Sequence, residues 1–274
     1  LENMINNPYG QPPFSDSLLL VVEIGNTTAS FVVFNGEELL EVHKVPSETL
    51  STPDDIDGVI KPLLLSYPEL SDAALCSVVP ALDPVVMSAL QRRLGGRMVA
   101  VTSSLRLPFR LSYDAPETFG ADRIALCALS RRLYPEDAVI ALDIGTAITV
   151  DVLGSEGLYL GGLIMPGLDL MARALNERTA RLPLVCMDTP TSLIGNSTAE
   201  CIRNGIIWGC VSGIEGLIGK IKTLLREKSE AGEPKVIVTG GSAPLISGLL
   251  ESDTLLEELA VLRGTRYLFT VNAE

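Results

Sequence analysis

An internal repeat constrains this chain's fold more than any other feature. Residues 19–33, LLVVEIGNTTASFVV, return about 120 positions later as residues 139–153, VIALDIGTAITVDVL. Each copy is an apolar run, an acidic residue, Ile, Gly, a short polar side chain and a second apolar-rich run. Glu23 answers to Asp143, Ile24 to Ile144, Gly25 to Gly145 and Asn26 to Thr146. Two copies at domain-scale spacing imply a duplicated domain, not a solenoid. The runs are rich in Val, Ile and Leu and short enough to be strands. The Gly between them suits a tight turn, because it has no Cβ to oppose positive φ or a close backbone approach.

The repeated unit also carries chemistry. A small polar side chain and backbone N–H groups at a hairpin tip can cradle a phosphate. An acidic residue at the end of the first strand can hold a water-shelled Mg²⁺ or orient a nucleophile. For either copy alone, an ordinary buried hairpin is the better reading, with Asp143 merely capping a turn. For two copies at matching offsets it is not.

Composition narrows the partners. A chain of 274 residues has room for two modest domains or one large one. The formal net charge of −13 argues against nucleic acid or an anionic membrane as partner. Anionic small substrates remain open, served by a metal ion, a few arginines and backbone N–H groups. Cys76, Cys127, Cys186, Cys201 and Cys210 form no C-x-x-C pair and imply reduced thiols in the cytoplasm. With His43 as the single histidine, a His-ligated zinc or a Ser-His-Asp triad has almost no support. The first 17 residues are polar, lack Lys and Arg, and read as a flexible tail, not a signal peptide. No apolar stretch is long enough to span a bilayer, so a soluble protein is expected.

Residues 18–45 read as a β-meander turning at Asn35-Gly36, followed by an amphipathic helix over 56–65. A strand is expected over 73–79, a helix over 83–94 closed by Gly95-Gly96, and a strand over 98–101. Residues 106–119 look like a loop or domain link, and a helix follows in GADRIALCALSRRLYP, stopped by Pro135. After the second repeat, which runs to Pro166, helices are expected over 168–181 and 197–225 and a strand over 235–241. A last helix is expected over 255–262. Alternating strands and helices make this an α/β protein.

The segments EIGNT (23–27), GADR (120–123), DIGTA (143–147), GGLIMPG (161–167), IGNST (194–198) and VTGG (238–241) together resemble the type III pantothenate kinases. They come in that family's order and cover nearly the whole chain from Leu18 to about Arg266. The resemblance implies a duplicated ribonuclease-H-like fold of the actin-like ATPase and sugar kinase superfamily. One domain would cover 18–119 and the other 120–274, with the nucleotide in the cleft between them. It implies phosphorylation of pantothenate by Mg-ATP, the first step toward coenzyme A, in a homodimer that needs K⁺ or NH₄⁺.

The same resemblance assigns roles. Asp122 is implied as the general base, the alternative being an N-cap for a helix starting near Ile124. Tyr113, Gly120, Ala121, Arg123 and Thr198 are implied at the substrate, with Thr198 near the dimer interface. A surface ion pair is the alternative for Arg123, and a helix start for Thr198. Glu23, Gly25, Asn26, Thr27, Thr146, Gly240 and Gly241 are implied at the nucleotide. Asp143 is implied as the monovalent-cation ligand, and Glu23 as the carboxylate facing Mg-ATP. Trp208 and the glycines from Gly205 to Gly216 read as packing residues.

Glu23 departs from the family pattern, which opens with Asp, and Ser197 stands where the family has Asn. The first departure moves a carboxylate by about one C–C bond, which matters where Mg²⁺ demands octahedral geometry. It keeps open a second reading, a non-catalytic or regulatory paralogue similar to the Bvg accessory factors. A third is another kinase or phosphatase of the superfamily, against which GADR and the Tyr113 segment speak.

Overall fold

The computed structural model describes residues 17–273 apart from Ser229 and Ala231. The tail expected over residues 1–17 therefore lies, but for Ser17, outside the described residues. The chain divides into two compact units. One comprises Leu1–Arg106, Glu117–Ala125 and Val261–Glu274, the other Leu107–Pro116 and Leu126–Ala260. The C-terminal residues thus group with the first repeat, and the segment 107–116 with the second.

In the first unit β1 (Leu18–Ile24), β2 (Thr28–Asn35) and β3 (Glu38–Pro46) form an antiparallel meander. β4 (Asp72–Ser77) and β5 (Met98–Ala100) add in parallel, giving the order β3-β2-β1-β4-β5. α1 (Pro53–Ser66) begins earlier than its apolar pattern. The Thr52 hydroxyl accepts from the Asp55 N–H at 3.3 Å, and the Asp55 carboxylate accepts from the Thr52 N–H at 2.8 Å. This capping box, with Pro53 in the first turn, fixes the start. α2 (Asp83–Arg93) ends at Leu94, which is already extended at φ −114° and ψ 131°, so the Gly95-Gly96 pair is not its cap. Leu20, Val22 and Ile24 of β1 meet Ile56, Ile60 and Leu63 of α1 and Val86 and Leu90 of α2 in one core.

The second unit repeats the plan. β6 (Val139–Ile144), β7 (Ala147–Leu153) and β8 (Tyr159–Pro166) form the meander. β9 (Lys235–Thr239) and β10 (Leu255–Leu256) add in parallel, so the order β10-β9-β6-β7-β8 matches the first sheet strand for strand. α4 (Leu168–Arg178), α5 (Thr198–Glu227) and α6 (Ala243–Ser247) supply its helices. Their residues Leu168, Ile207, Ile214, Ile218 and Ile246 pack on Ile140, Leu142, Ile144 and Val150, with Trp208 half-buried against them.

The last helix departs from the expectation. Leu255 and Leu256 pair with Ile237 and Val238 as an edge strand, and α7 (Ala260–Asn272) starts beyond them. Its inner face is Val261, Leu262, Thr265, Leu268 and Phe269, a helical stripe offset from the one read in the sequence. Arg97 fastens its end, donating to the Ala273 carbonyl at 2.6 Å while paired with Asp72 at 2.7 Å and lying 5.3 Å from the Phe269 ring centroid. Arg266 donates to the Gly36 carbonyl at 2.9 Å.

α7 crosses the start of α3 (Ala121–Leu133) at Gly264, where a Cβ would stand 1.9 Å from the Ala125 carbonyl oxygen. That backbone cannot yield without moving α3. Gly264→Ala is therefore expected to cost about 1–3 kcal/mol despite alanine's better helix propensity. Denaturant unfolding of the two proteins measures this, and an unchanged midpoint would contradict the crossing.

Candidate active site

β1 is buried from Leu19 to Val22, and Glu23, its penultimate residue, is half-buried. Glu23 pairs with Ser30 on β2 and Cys76 on β4, and Ser30 pairs with Lys44 on β3. Directly opposed residues share a face, so Lys44, Ser30, Glu23 and Cys76 form one row on the side away from α1 and α2. The turn beyond is closed by the Gly25 N–H on the Thr28 carbonyl at 3.0 Å, and the Ser47 hydroxyl donates to the Gly25 carbonyl at 2.6 Å. Asn26 and Thr27 are left exposed at its tip.

Asp122 stands in the first turn of α3, inside the helix and not at a cap before Ile124, because the helix already opens at Ala121. Its Oδ1 accepts from the Arg123 N–H at 2.7 Å. A Cβ on residue 120 would meet that oxygen at 2.5 Å, so Gly120 makes room for the carboxylate. Ala121 is buried and can offer a ligand only its backbone. Arg123 is buried, 7 % exposed, with its guanidinium 4.4 Å from the Phe119 ring centroid.

Glu23 and Asp122 act on each other. The Glu23 carboxyl is pushed up to about 7, chiefly by burial, then by the Asp122 charge, with Lys44 opposing the shift. Two carboxylates in one poorly hydrated place cannot both ionise freely. A cation beside them would relieve this.

In the second unit Asp143 takes the position of Glu23. Its partners across β7 and β9 are Thr149 and Thr239, both buried. The Thr149 hydroxyl has no hydrogen-bond partner among the described residues. Gly240 follows β9 at φ 101°, where a Cβ would stand 2.3 Å from Asp143 Oδ1. Only glycine passes this close at that φ. The turn is held by the Ser242 N–H on the Ile144 carbonyl at 2.9 Å, and Gly241 beside it is exposed. The Thr146 carbonyl accepts from the Gly167 N–H at 3.0 Å, and its side chain is exposed. Asp143, Thr146, Gly240 and Gly241 thus gather at the ends of β6 and β9.

Two expected substrate residues lie apart in the second unit's sequence. Tyr113, 39 % exposed, stands edge-on to the Tyr159 ring. Thr198 is exposed as the first residue of α5, where Ser197 is the cap, accepting from the Glu200 N–H at 3.2 Å. Sequence reasoning missed Lys44, Phe119, Thr149, Thr239 and Tyr159. Of these, Thr149, Tyr159 and Thr239 carried a signal, lying inside the second repeat, at its β8 continuation and in the VTGG segment.

Among the described residues, two α/β sheets of identical strand order, each with an acid, Ile and Gly at the end of its central strand, make a duplicated ribonuclease-H-like fold. A crystal structure from Campylobacter jejuni, described as that of a candidate Baf family transcriptional activator, shares the fold at TM-score 0.56 and 20 % identity, over 93 % of this chain and 98 % of that one. A candidate N-acetylmannosamine kinase from Listeria monocytogenes does so at TM-score 0.54 and 15 % identity, over 94 % and 100 %. The sequence profile of type III pantothenate kinase matches residues 19–220. The type III pantothenate kinase of Chlorobium luteolum is 51 % identical over 94 % of this chain and 96 % of its own. That of Persephonella marina is 34 % identical over 90 % and 96 %. The chain belongs to the type III pantothenate kinase family.

The Glu23 shift has a measurable consequence. A carboxyl whose folded-state pKa is raised contributes stability that is present in full below its unfolded value of 4.5 and lost as pH rises through about 7. Ligand-free wild type should therefore lose stability relative to Glu23→Gln as pH climbs from about 4.5 to above about 7. Paired thermal melts across that window test it. A constant difference in Tm would show that Glu23 ionises normally.

Proposed function

We propose that the chain transfers the γ-phosphoryl group of ATP to the primary hydroxyl of pantothenate, giving 4′-phosphopantothenate on the way to coenzyme A. Membership of the family carries the reaction class, and the carboxylate of Asp122 in the first turn of α3, coupled to Glu23, is the observation that carries the chemistry. Asp122 takes the hydroxyl proton as the new O–P bond forms. It is held in the first turn of a helix, where the dipole favours negative charge. Arg123, stacked on Phe119, is a fixed positive charge one residue away and supports both the base and the anionic substrate.

Mg²⁺ fits the donor set. Among the described residues no group of three or more His, Cys, Asp or Glu gathers as a protein-held metal site. Mg²⁺ in nucleotide sites is held by one or two carboxylates, waters and the phosphates themselves, and Glu23 supplies such a carboxylate. When bound, the ion neutralises phosphate charge. Gly25, Asn26, Thr27, Thr146, Gly240 and Gly241 offer backbone N–H and hydroxyl donors to the nucleotide. Asp143, with the hydroxyls of Thr149 and Thr239, is an all-oxygen set suited to K⁺ or NH₄⁺, and the unpartnered Thr149 hydroxyl is what such an ion would satisfy. Five free cysteines support a cytoplasmic setting. The net charge of −13 speaks against nucleic acid, and no described helix is long and apolar enough to cross a membrane.

The assay is ADP release with pantothenate, Mg-ATP and K⁺. Asp122→Asn should keep the fold and lower kcat by about 10²-fold or more, and turnover should fall when Na⁺ replaces K⁺. Failure of the wild type to turn over pantothenate would favour the regulatory reading that Glu23 keeps open.

A homodimer is the second part of the reading. Gly205, Gly209, Gly213 and Gly216 lie on the exposed side of α5, where an added Cβ would meet nothing within 4 Å. Each costs the helix roughly 0.5–1 kcal/mol relative to alanine, and no packing among the described residues calls for it. Close approach of a second copy does, and it would bring Thr198 toward a partner's pocket. Sedimentation at micromolar concentration should show a dimer, and Gly209→Leu a folded monomer. A monomeric wild type that still turns over pantothenate would refute the shared pocket.

A further inference from the structure

The β7–β8 hairpin carries a bulge. Val152 pairs with Gly161 but Leu153 with Tyr159, so Leu160 is the extra residue. Without it Leu160 would stand opposite Leu153. With it Tyr159 takes that place and shares the face of Asp151. The Tyr159 hydroxyl donates to Asp151 Oδ1 at 2.9 Å, and both side chains are buried, at 1 % and 0 % exposure. A buried tyrosine ring tied at its far end has one orientation.

Tyr113 rests on that ring. The centroids are 6.1 Å apart with planes at 69°, an edge-on contact. The chain carrying it is stapled to the same hairpin: the Arg110 N–H donates to the Gly157 carbonyl at 2.8 Å and the Tyr159 N–H to the Arg110 carbonyl at 2.9 Å. The hairpin tip is itself locked. Arg131 donates to the carbonyls of Gly154, at 3.3 Å, and Ser155, and the Ser155 N–H donates to Glu230 at 2.7 Å. Yet between these fixed parts Tyr113 keeps 39 % of its surface exposed, though its segment outside the staple is irregular. An exposed aromatic side chain on irregular backbone ordinarily samples several rotamers and loses that freedom on binding. The arrangement here removes it beforehand.

We propose that Tyr159, anchored on Asp151, is a positioning residue that presets the Tyr113 ring for the pantothenate substrate. The inference rests on the reading of Tyr113 as a substrate contact and adds the residues that make that contact rigid. Neither Tyr159 nor Asp151 touches the substrate. Their effect is on its binding and not on phosphoryl transfer.

The test is a double-mutant cycle in steady-state kinetics on the full chain. Tyr159→Leu should raise KM for pantothenate about five-fold, with KM for ATP and kcat within about two-fold of wild type. In a Tyr113→Ala background the same substitution should change KM for pantothenate no further. A purely structural role would move both substrates' constants or kcat together, and would do so in both backgrounds. Should Tyr159→Leu fail to fold, Tyr159→Phe keeps the ring and removes only the bond to Asp151. It should give a smaller rise of the same kind, again abolished by Tyr113→Ala. Equal effects in both backgrounds, or no effect of either variant, would overturn the proposal. A wild-type chain that does not turn over pantothenate sinks the functional reading and this inference with it. An active chain with an additive cycle sinks this inference alone.

Discussion

The constraint on which the structure turns is that each sheet is built around a strand with no free side. β1 is hydrogen-bonded to β2 and β4, and β6 to β7 and β9. Alternate residues of β1, Leu19 and Val21 as much as Leu20 and Val22, are buried on both faces. An ionised carboxylate within such a strand would carry a desolvation cost of several kcal/mol. The first place where one can emerge is the strand's carboxyl end, and there both copies put their acid. The glycine that follows lets the chain turn at once. Polar chemistry at the strand ends follows from how completely the rest of the strand is enclosed.

The two ends have diverged from a common plan. In the first, a four-residue turn, Gly25 to Thr28, separates the paired Ile24 and Ala29, and the acid is Glu23, facing a second carboxylate. In the second, three residues, Gly145 to Ala147, separate Ile144 and Ile148, and the acid is Asp143, flanked by two buried threonines and pressed by Gly240. The longer acid stands near a second carboxylate, and burial and that charge suppress its own ionisation. The shorter one has threonines as its neighbours across both adjoining strands. Repetition supplied the scaffold, and the neighbours decide the chemistry.

Most of this was legible in the sequence because it rests on local rules. The meanders, the Asn35-Gly36 turn, the helix after GAD and the strand before Gly240-Gly241 all follow from apolar period and turn chemistry. What was not legible depends on partners distant in sequence. Leu255 and Leu256 suit either an edge strand or a helix stripe, and only the vacant side of β9 makes them a strand. Gly95-Gly96 looks like a helix cap, but Leu94 leaves the helix first. The Phe119 ring beneath the Arg123 guanidinium is seen only in the fold. At the site, the acids, threonines and glycines of the repeat were visible by position, whereas Lys44 and Phe119 entered through pairing and packing alone.

The largest illegible term is a single extra residue, inserted twice. In the first meander Val33 pairs with Glu41 but Phe34 with Leu39, so Leu40 bulges. In the second Leu160 bulges, between Val152 and Leu153. Allowing for the shorter second turn, the two bulges fall at the same point of the repeat. A strand register read outward from Asn35-Gly36 without the bulge sets His43 opposite Ser30, and Lys44 on the far face. With the bulge Lys44 faces the same side as Glu23, and its charge opposes the rise in that group's pKa. In the second copy the same device turns Tyr159 toward Asp151. A slip of one residue flips every side chain beyond it, so these insertions select which residues the sheet offers to its polar face. Each copy has used that selection differently, one to place a positive charge near an acid and the other to anchor an aromatic ring.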